Sequence, residues 1–260
     1  MSAWLFDLGN TRLKYAPLRT DGSIGHVAIA AHDGLRFTKP DWDAALPSAI
    51  DAAWIASVAA DAPRAALRDA LAVRGARIGF ARTQPQFAGI AIAYAQPQRL
   101  GVDRFLAMAA AHGRGLRDAD HDAALVIGVG TALTIDLLDA DGRHRGGRIA
   151  PSPALMREAL HARAAQLPRD GGDYAEFADD TDAALASGCL GAALGLIERS
   201  ARQARELLGT TPRLWLHGGG ADALLPHLDD ARHAPTLVLE GLVLWARTRD
   251  ADAAGENRGM

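Results

Sequence analysis

The sequence predicts an α/β protein made of two duplicated halves, and three observations carry that prediction. Short apolar runs of strand length alternate with alanine-rich stretches of helical spacing. A glycine turn that leads into threonine occurs twice, at Gly9-Asn10-Thr11 and at Gly130-Thr131, each time between two apolar runs. Each is followed by an Asp-Gly hairpin signal, Asp21-Gly22 and Asp141-Gly142. The spacing nearly repeats: 13 residues separate Gly9 from Gly22, and 12 separate Gly130 from Gly142. Residue identity between the halves is low, so the duplication is one of architecture.

The elements follow in order. Trp4 to Leu8 reads as a strand, and the chain from Tyr15 to Ala31 continues the same sheet through the Asp21-Gly22 turn. Residues 32–50 carry Pro40 and Pro47 and read as loop with a weak helix. Trp54 to Val58 is a buried strand, and Ala62 to Val73 a helix with Asp61 as its cap and Gly75 as its stop. Arg77–Phe80 and Ile90–Tyr94 are short strands. Asp103 opens an alanine-rich helix through Ala111, which Gly113 is expected to end. A domain boundary is placed in the polar stretch that follows, giving domains 1–115 and 116–250. The second half then runs through a strand at Ala124–Ile127, the second glycine turn, a strand at Leu133–Leu138 and a helix from about Ala154 to Leu167. A long helix over Ala183–Leu208 has Gly188, Gly191, Ala192 and Gly195 near one face, which permits close approach of another element. A strand at Leu214–Leu216 enters His217-Gly218-Gly219-Gly220. A last helix begins near Leu237, and residues 251–260 read as a solvated, flexible tail.

Composition narrows the function classes. The chain has 260 residues, 49% of them apolar and 23% charged, enough for a sizeable core. A net charge of −3 gives no general attraction to nucleic acid or to an anionic membrane, so any anion site is local. Cys189 is the single cysteine, which rules out an internal disulfide and fits a cytoplasmic setting. No run is long and apolar enough for a membrane span. Of the 28 basic residues only Lys14 and Lys39 are lysines, which sets Lys14 apart in an arginine-biased chain.

The chemistry gathers at Asp7-Leu8-Gly9-Asn10-Thr11-Arg12-Leu13-Lys14. A carboxylate for a divalent metal, a glycine turn, short polar donors and one ammonium suit a phosphate chain with its metal. Thr131 and Thr134 offer hydroxyls in the second half, and Gly218-Gly219-Gly220 would let a base or ribose lie against bare backbone. Taken singly, each is equally an ordinary tight turn. At Gly101-Val102-Asp103-Arg104, Asp103 is either a helix cap or a general base, and Arg104 a fork for a carboxylate or phosphate. There is no G-x-x-x-x-G-K-[ST] sequence. Gly128-Val129-Gly130 also fails as a dinucleotide fingerprint, because Leu133 holds the third glycine position and a strand-like segment follows. No His/Cys spacing for zinc and no G-x-S-x-G elbow is present.

Taken as an ordered set, these motifs resemble the type III pantothenate kinase family, also called the Bvg accessory factor family. The resemblance rests on Asp7 through Lys14, Tyr94, Gly101–Arg104, Gly130-Thr131-Ala132 with Thr134 and Asp136, and Gly146-Gly147 with Ile149 and Pro151. It continues through Thr181, Gly218-Gly219 and Leu239–Leu242. It implies an actin-like fold (the ASKHA class), with two duplicated ribonuclease-H-like domains around an ATP cleft. It implies phosphorylation of pantothenate by ATP, the first step of coenzyme A biosynthesis, in a homodimer that uses Mg2+ or another divalent metal. By position, Asp7 through Lys14 would bind ATP phosphates, with Asp7 on the metal. Thr131, Gly218 and Gly219 would complete the nucleotide site. Asp103 would be the general base, and Tyr94, Gly101, Val102, Asp103, Arg104 and Thr181 would line the pantothenate pocket, with Thr181 donated across the dimer.

Two positions depart from the family's pattern. Many members carry an aspartate two residues before the second Gly-Thr, where it helps hold a monovalent cation, K+ or NH4+. Here that residue is Gly128, which leaves the cation open. Ser152 stands where a glycine is usual. Two other readings remain open from the sequence: a different actin-like phosphotransferase or phosphatase, and a non-catalytic ATP-binding accessory protein.

Overall fold

A computed structural model describes residues 2–117 and 122–256 of the chain. The chain folds into two compact units. The first comprises Met1–Ala88, Tyr94–Ala110 and Thr236–Met260, and the second Gly89–Ala93 and Ala111–Pro235. The division is therefore discontinuous along the chain, unlike the two consecutive domains expected from sequence.

The first unit holds a five-stranded sheet of β1 (Ala3–Leu8), β2 (Arg12–Leu18), β3 (Ala28–Ala31), β4 (Ala52–Ser57) and β5 (Arg77–Phe80). The strand order is β3-β2-β1-β4-β5. β1 to β3 form an antiparallel meander, while β4 and β5 run parallel to β1. Side chains alternate across a strand. Phe6 and Leu8 therefore join Leu13, Ile55 and the helix α1 (Asp61–Val73) in one core, through Leu67 and Leu71. Leu5 and Asp7 point the other way, the side on which α6 (Leu237–Glu256) packs against β1 and β4. Asp61 is not the cap of α1: the capping residue is Ala60, with no side-chain bond, and Asp61 is the first helical residue. There its negative charge complements the helix dipole.

The helix α2 (Val102–Arg117) does not stop at Gly113. Every residue from Phe105 to Ala111 is at most 3% exposed, so this stretch of the helix is buried on all sides. Burial of that extent outweighs the roughly 1 kcal/mol that each interior glycine costs. The division between units falls inside this helix, and residues 118–121 of the expected boundary lie outside the described residues. Likewise, α6 continues to Glu256 through much of the expected tail, and 257–260 lie outside the described residues.

In the second unit the topology repeats. After the two-residue strands β6 (Gln86–Phe87, still in the first unit) and β7 (Ile90–Ala91) come β8 (Ala124–Val129), β9 (Ala132–Leu138) and β10 (His144–Pro151). β11 (Arg213–His217) and β12 (Arg232–His233) complete a sheet of order β10-β9-β8-β11-β12. With the first sheet renumbered, this is the same order and the same parallel–antiparallel pattern. Its core is Leu125, Ile127 and Val129 against Ala193, Leu194 and Ile197 of α4 (Thr181–Leu208). The helix α3 (Pro153–Arg163) ends four residues earlier than expected and packs on α4. Ser152, where the family usually has glycine, is its cap: the buried hydroxyl accepts a bond from the Leu155 amide at 3.3 Å. A short helix, α5 (Ala221–Leu224), follows the glycine run.

Candidate active site

In the first unit the β1–β2 turn is Gly9-Asn10-Thr11. The Gly9 amide donates to the Arg12 carbonyl at 2.9 Å and closes it. That N–H is committed to the turn, so the groups it leaves open to a ligand are those of the exposed residues beyond it: Asn10, Thr11 and Arg12. His32, only 4% exposed, braces the turn from behind. The Gly34 amide donates to its Nδ1 at 3.2 Å, which leaves Nε2 to donate to the Gly9 carbonyl at 3.0 Å. A lone histidine after an apolar strand carries no motif, so sequence reasoning missed it.

Register supplies the charges. Asp7 lies opposite Lys14 across β1 and β2, which places carboxylate and ammonium on one face. The Asp7 pKa is raised to about 7, chiefly by burial and also by the charge of Asp103, against the opposing pull of Lys14. The fold thus brings together three sequence-predicted residues that are up to 96 positions apart, Asp7, Lys14 and Asp103. A carboxylate under-compensated in this way fits a divalent cation. Among the described residues no group of three or more His, Cys, Asp or Glu side chains could hold a metal alone. Magnesium suits such a site, since it takes one or two carboxylates with substrate phosphates and water.

Asp103 is the second residue of α2, not its cap. Its Oδ1 accepts from the Arg104 amide at 2.9 Å, which orients the carboxylate. A Cβ at Gly101 would lie 2.6 Å from that oxygen, so glycine leaves the carboxylate its room. Val102 and Arg104 are 8% and 7% exposed, so the guanidinium is held in place rather than swinging in solvent. Tyr94 is half-buried where the chain re-enters this unit. The helix carrying Asp103 is itself seated by Gly241: a Cβ there would meet the Leu106 carbonyl oxygen at 2.1 Å and its carbon at 2.6 Å. This gives a physical role to the Leu239-Glu240-Gly241-Leu242 motif, a crossing where α6 touches the backbone of α2.

The second unit holds the other predicted residues. Its β8–β9 turn, Gly130-Thr131, closes in the same way, with the Gly130 amide donating to the Ala132 carbonyl at 2.9 Å. Thr131 is exposed at the tip. Gly218 (φ +96°) packs its backbone against Val129, where a Cβ would lie 2.4 Å from the carbonyl oxygen. The Gly220 amide donates to that same carbonyl at 3.0 Å. Gly218 and Gly219 are thereby tied to the second turn. Thr181 is exposed at the first position of α4, next to the cap Asp180, and belongs to this unit rather than to that of Asp103.

The type III pantothenate kinase family model matches residues 4–203. A type III pantothenate kinase of Stenotrophomonas maltophilia (strain K279a) is 56% identical over 248 residues, covering 95% of this chain and 98% of the relative. One from Xanthomonas axonopodis pv. citri (strain 306) is 55% identical over 246 residues, covering 95% and 98%. Among solved structures, a conserved Baf family protein from Campylobacter jejuni aligns with a TM-score of 0.60 at 18% identity, over 95% of this chain and 99% of that one. That likeness speaks for the fold alone, which is actin-like, with the duplicated sheets described above. On the family model and the relatives together, the chain belongs to the type III pantothenate kinase family.

Proposed function

We propose that this kinase transfers the terminal phosphoryl group of ATP to the primary hydroxyl of pantothenate, with Asp103 as general base. The observation that carries the assignment of roles is the meeting of Asp7, Lys14 and Asp103 in one unit, with Asp7 raised to about 7. Phosphoryl transfer asks mainly for positioning and charge neutralisation. Asp7 holds the divalent metal, which when bound neutralises charge on the phosphates. Asn10, Thr11, Arg12 and Lys14 hold phosphate oxygens at the first turn, and in the second unit Thr131 offers a hydroxyl to phosphate. Gly218 and Gly219 offer bare backbone to the nucleoside. Asp103 takes the proton from the acceptor hydroxyl as its oxygen bonds to phosphorus and the bond to ADP breaks. Tyr94, Gly101, Val102 and Arg104 shape the acceptor pocket, where Arg104 faces an anionic substrate.

Thr181 and a homodimer enter together in this reading. Gly188, Gly191 and Gly195 face open space, where an added Cβ meets nothing within 4 Å, so no other described element of this chain packs on them. Among the described residues no helix is long and apolar enough to cross a membrane, which is compatible with work in the cytoplasm.

A coupled ADP-release assay with purified protein, ATP, magnesium and pantothenate tests the reading. Release that depends on pantothenate is the expected result. Phosphate release without any acceptor would favour a phosphatase, and ATP binding with no turnover on any acceptor would favour an accessory protein.

A further inference from the structure

The duplicated sheets allow residues of one half to be laid on the other by strand register. Asp7 lies opposite Lys14 on the antiparallel side and Ala56 on the parallel side. In the second sheet the matching strand position is Gly128, opposite Thr134 and His217. The exchange is reciprocal. Where the first half has a carboxylate beside an alanine, the second has no side chain beside an imidazole. The imidazole uses the space: a Cβ built on Gly128 would come within 2.7 Å of Thr134 Oγ1, 3.0 Å of His217 Nε2 and 3.2 Å of its Cε1. Gly128 is buried, so a side chain there has no route into solvent. His217 cannot withdraw freely either, because the next residue, Gly218, is packed on the Val129 backbone.

A monovalent cation wants oxygen ligands. At this position the chain offers no carboxylate: residue 128 supplies no side chain, and the place is shared by the single hydroxyl of Thr134 and a ring nitrogen and carbon of His217. The residues present do not fit the cation that the family resemblance implies. We propose that in this chain His217 takes over the side-chain space of position 128, and that the kinase works without a monovalent cation at its second turn. The inference rests on the assignment of that turn to ATP phosphates.

The test compares the full-length protein in potassium chloride, ammonium chloride and tetramethylammonium chloride at equal ionic strength. Two signals are read: turnover on pantothenate, and the rise in melting temperature caused by magnesium-ATP. Both should agree across the salts to within about twofold in rate and in apparent ATP affinity. A stimulation by potassium or ammonium of about tenfold or more, seen in the rate or in the ATP-induced shift, overturns the proposal. The packing half is tested separately by a double-mutant cycle in melting temperature. Gly128→Ala should cost stability in the native background and clearly less of it beside His217→Ala, the remainder being the contact with Thr134 Oγ1, and equal costs in the two backgrounds would overturn the claim that the imidazole shares the site. An ATP-induced shift indifferent to the salt, without turnover on pantothenate, would leave this inference standing and count against the acceptor assignment. Loss of the shift in Thr11→Ala but not in Thr131→Ala would remove the second turn from the phosphates and the inference with it.

Discussion

At the first turn Asp7 stands beside Lys14 and Ala56, whereas at the second Gly128 stands beside Thr134 and His217. The backbones of the two turns close alike, each with its leading glycine amide on a carbonyl two or three residues on. What differs is charge. The first turn carries an opposed pair plus the field of Asp103, and the second carries hydroxyls and an imidazole. Duplication preserved the hairpin because backbone hydrogen bonding and sheet order are indifferent to side chains. It preserved volume across β8 and β11 because a buried strand face must be filled. It did not preserve the ionic chemistry: the opposed pair of Asp7 and Lys14 and the field of Asp103 belong to the first half alone.

The sharpest way to break this comparison is to strike the chemistry in the first half alone. Asp103→Asn should reduce turnover by about 10²–10⁴-fold while leaving the ATP-induced rise in melting temperature unchanged. A normal rate in a coupled assay would remove Asp103 as the base.

Next in size is Asp7→Asn, which should lose metal-supported turnover by about 10²-fold and yet stabilise the metal-free fold at pH 8. The sign follows from linkage. The folded state holds the Asp7 proton up to about pH 7, while the unfolded chain releases it near 3.8. Between those values the folded state binds more protons, so stability falls as pH rises, and above pH 7 the whole penalty is present. The asparagine variant escapes it. Thermal melts without metal should show the variant gaining on the native protein from pH 4 to 7, and a gap that stays constant above that range. A gap that grows towards acid would show the Asp7 pKa to be lowered instead.

A third change sharpens how the first half holds its base. Gly241→Ala drives a methyl into the Leu106 backbone, and overpacking of this kind costs about 1–3 kcal/mol. At this chain length each kcal/mol lowers the melting temperature by about 2–4 °C. Turnover should fall along with stability, because α2 carries Asp103. The smallest effect belongs to the second half, where Ser152→Ala removes the α3 cap and costs about 1 kcal/mol with no change in ATP affinity. A loss of turnover there, measured below the melting transition, would give Ser152 a role beyond capping.

Some of the site was readable from residue order because its physics is local. A glycine turn between two apolar runs makes a hairpin with polar tips whatever surrounds it, so Gly9-Asn10-Thr11 and Gly130-Thr131 were legible. Asp-Gly hairpin signals gave the meander of each sheet, and with it the duplication. The limits were equally physical. Gly113 read as a helix stop because glycine destabilises an isolated helix, and nothing local announces that Phe105 to Ala111 are enclosed on every side. His32 stood alone in sequence, and its bond to the Gly9 carbonyl exists only once the meander has closed.

By itself the order of residues determined the two hairpins, the alternation that builds each sheet and the family to which the motifs belong, since all three depend on short-range spacing. Tertiary structure decided the rest. It brought Asp103 to Asp7 and raised the latter towards neutrality, seated α2 on Gly241, and set His217 in the space that Gly128 leaves. Each of these is a contact between residues far apart in the chain, and burial, excluded volume and electrostatic fields act through distance in space rather than along the sequence.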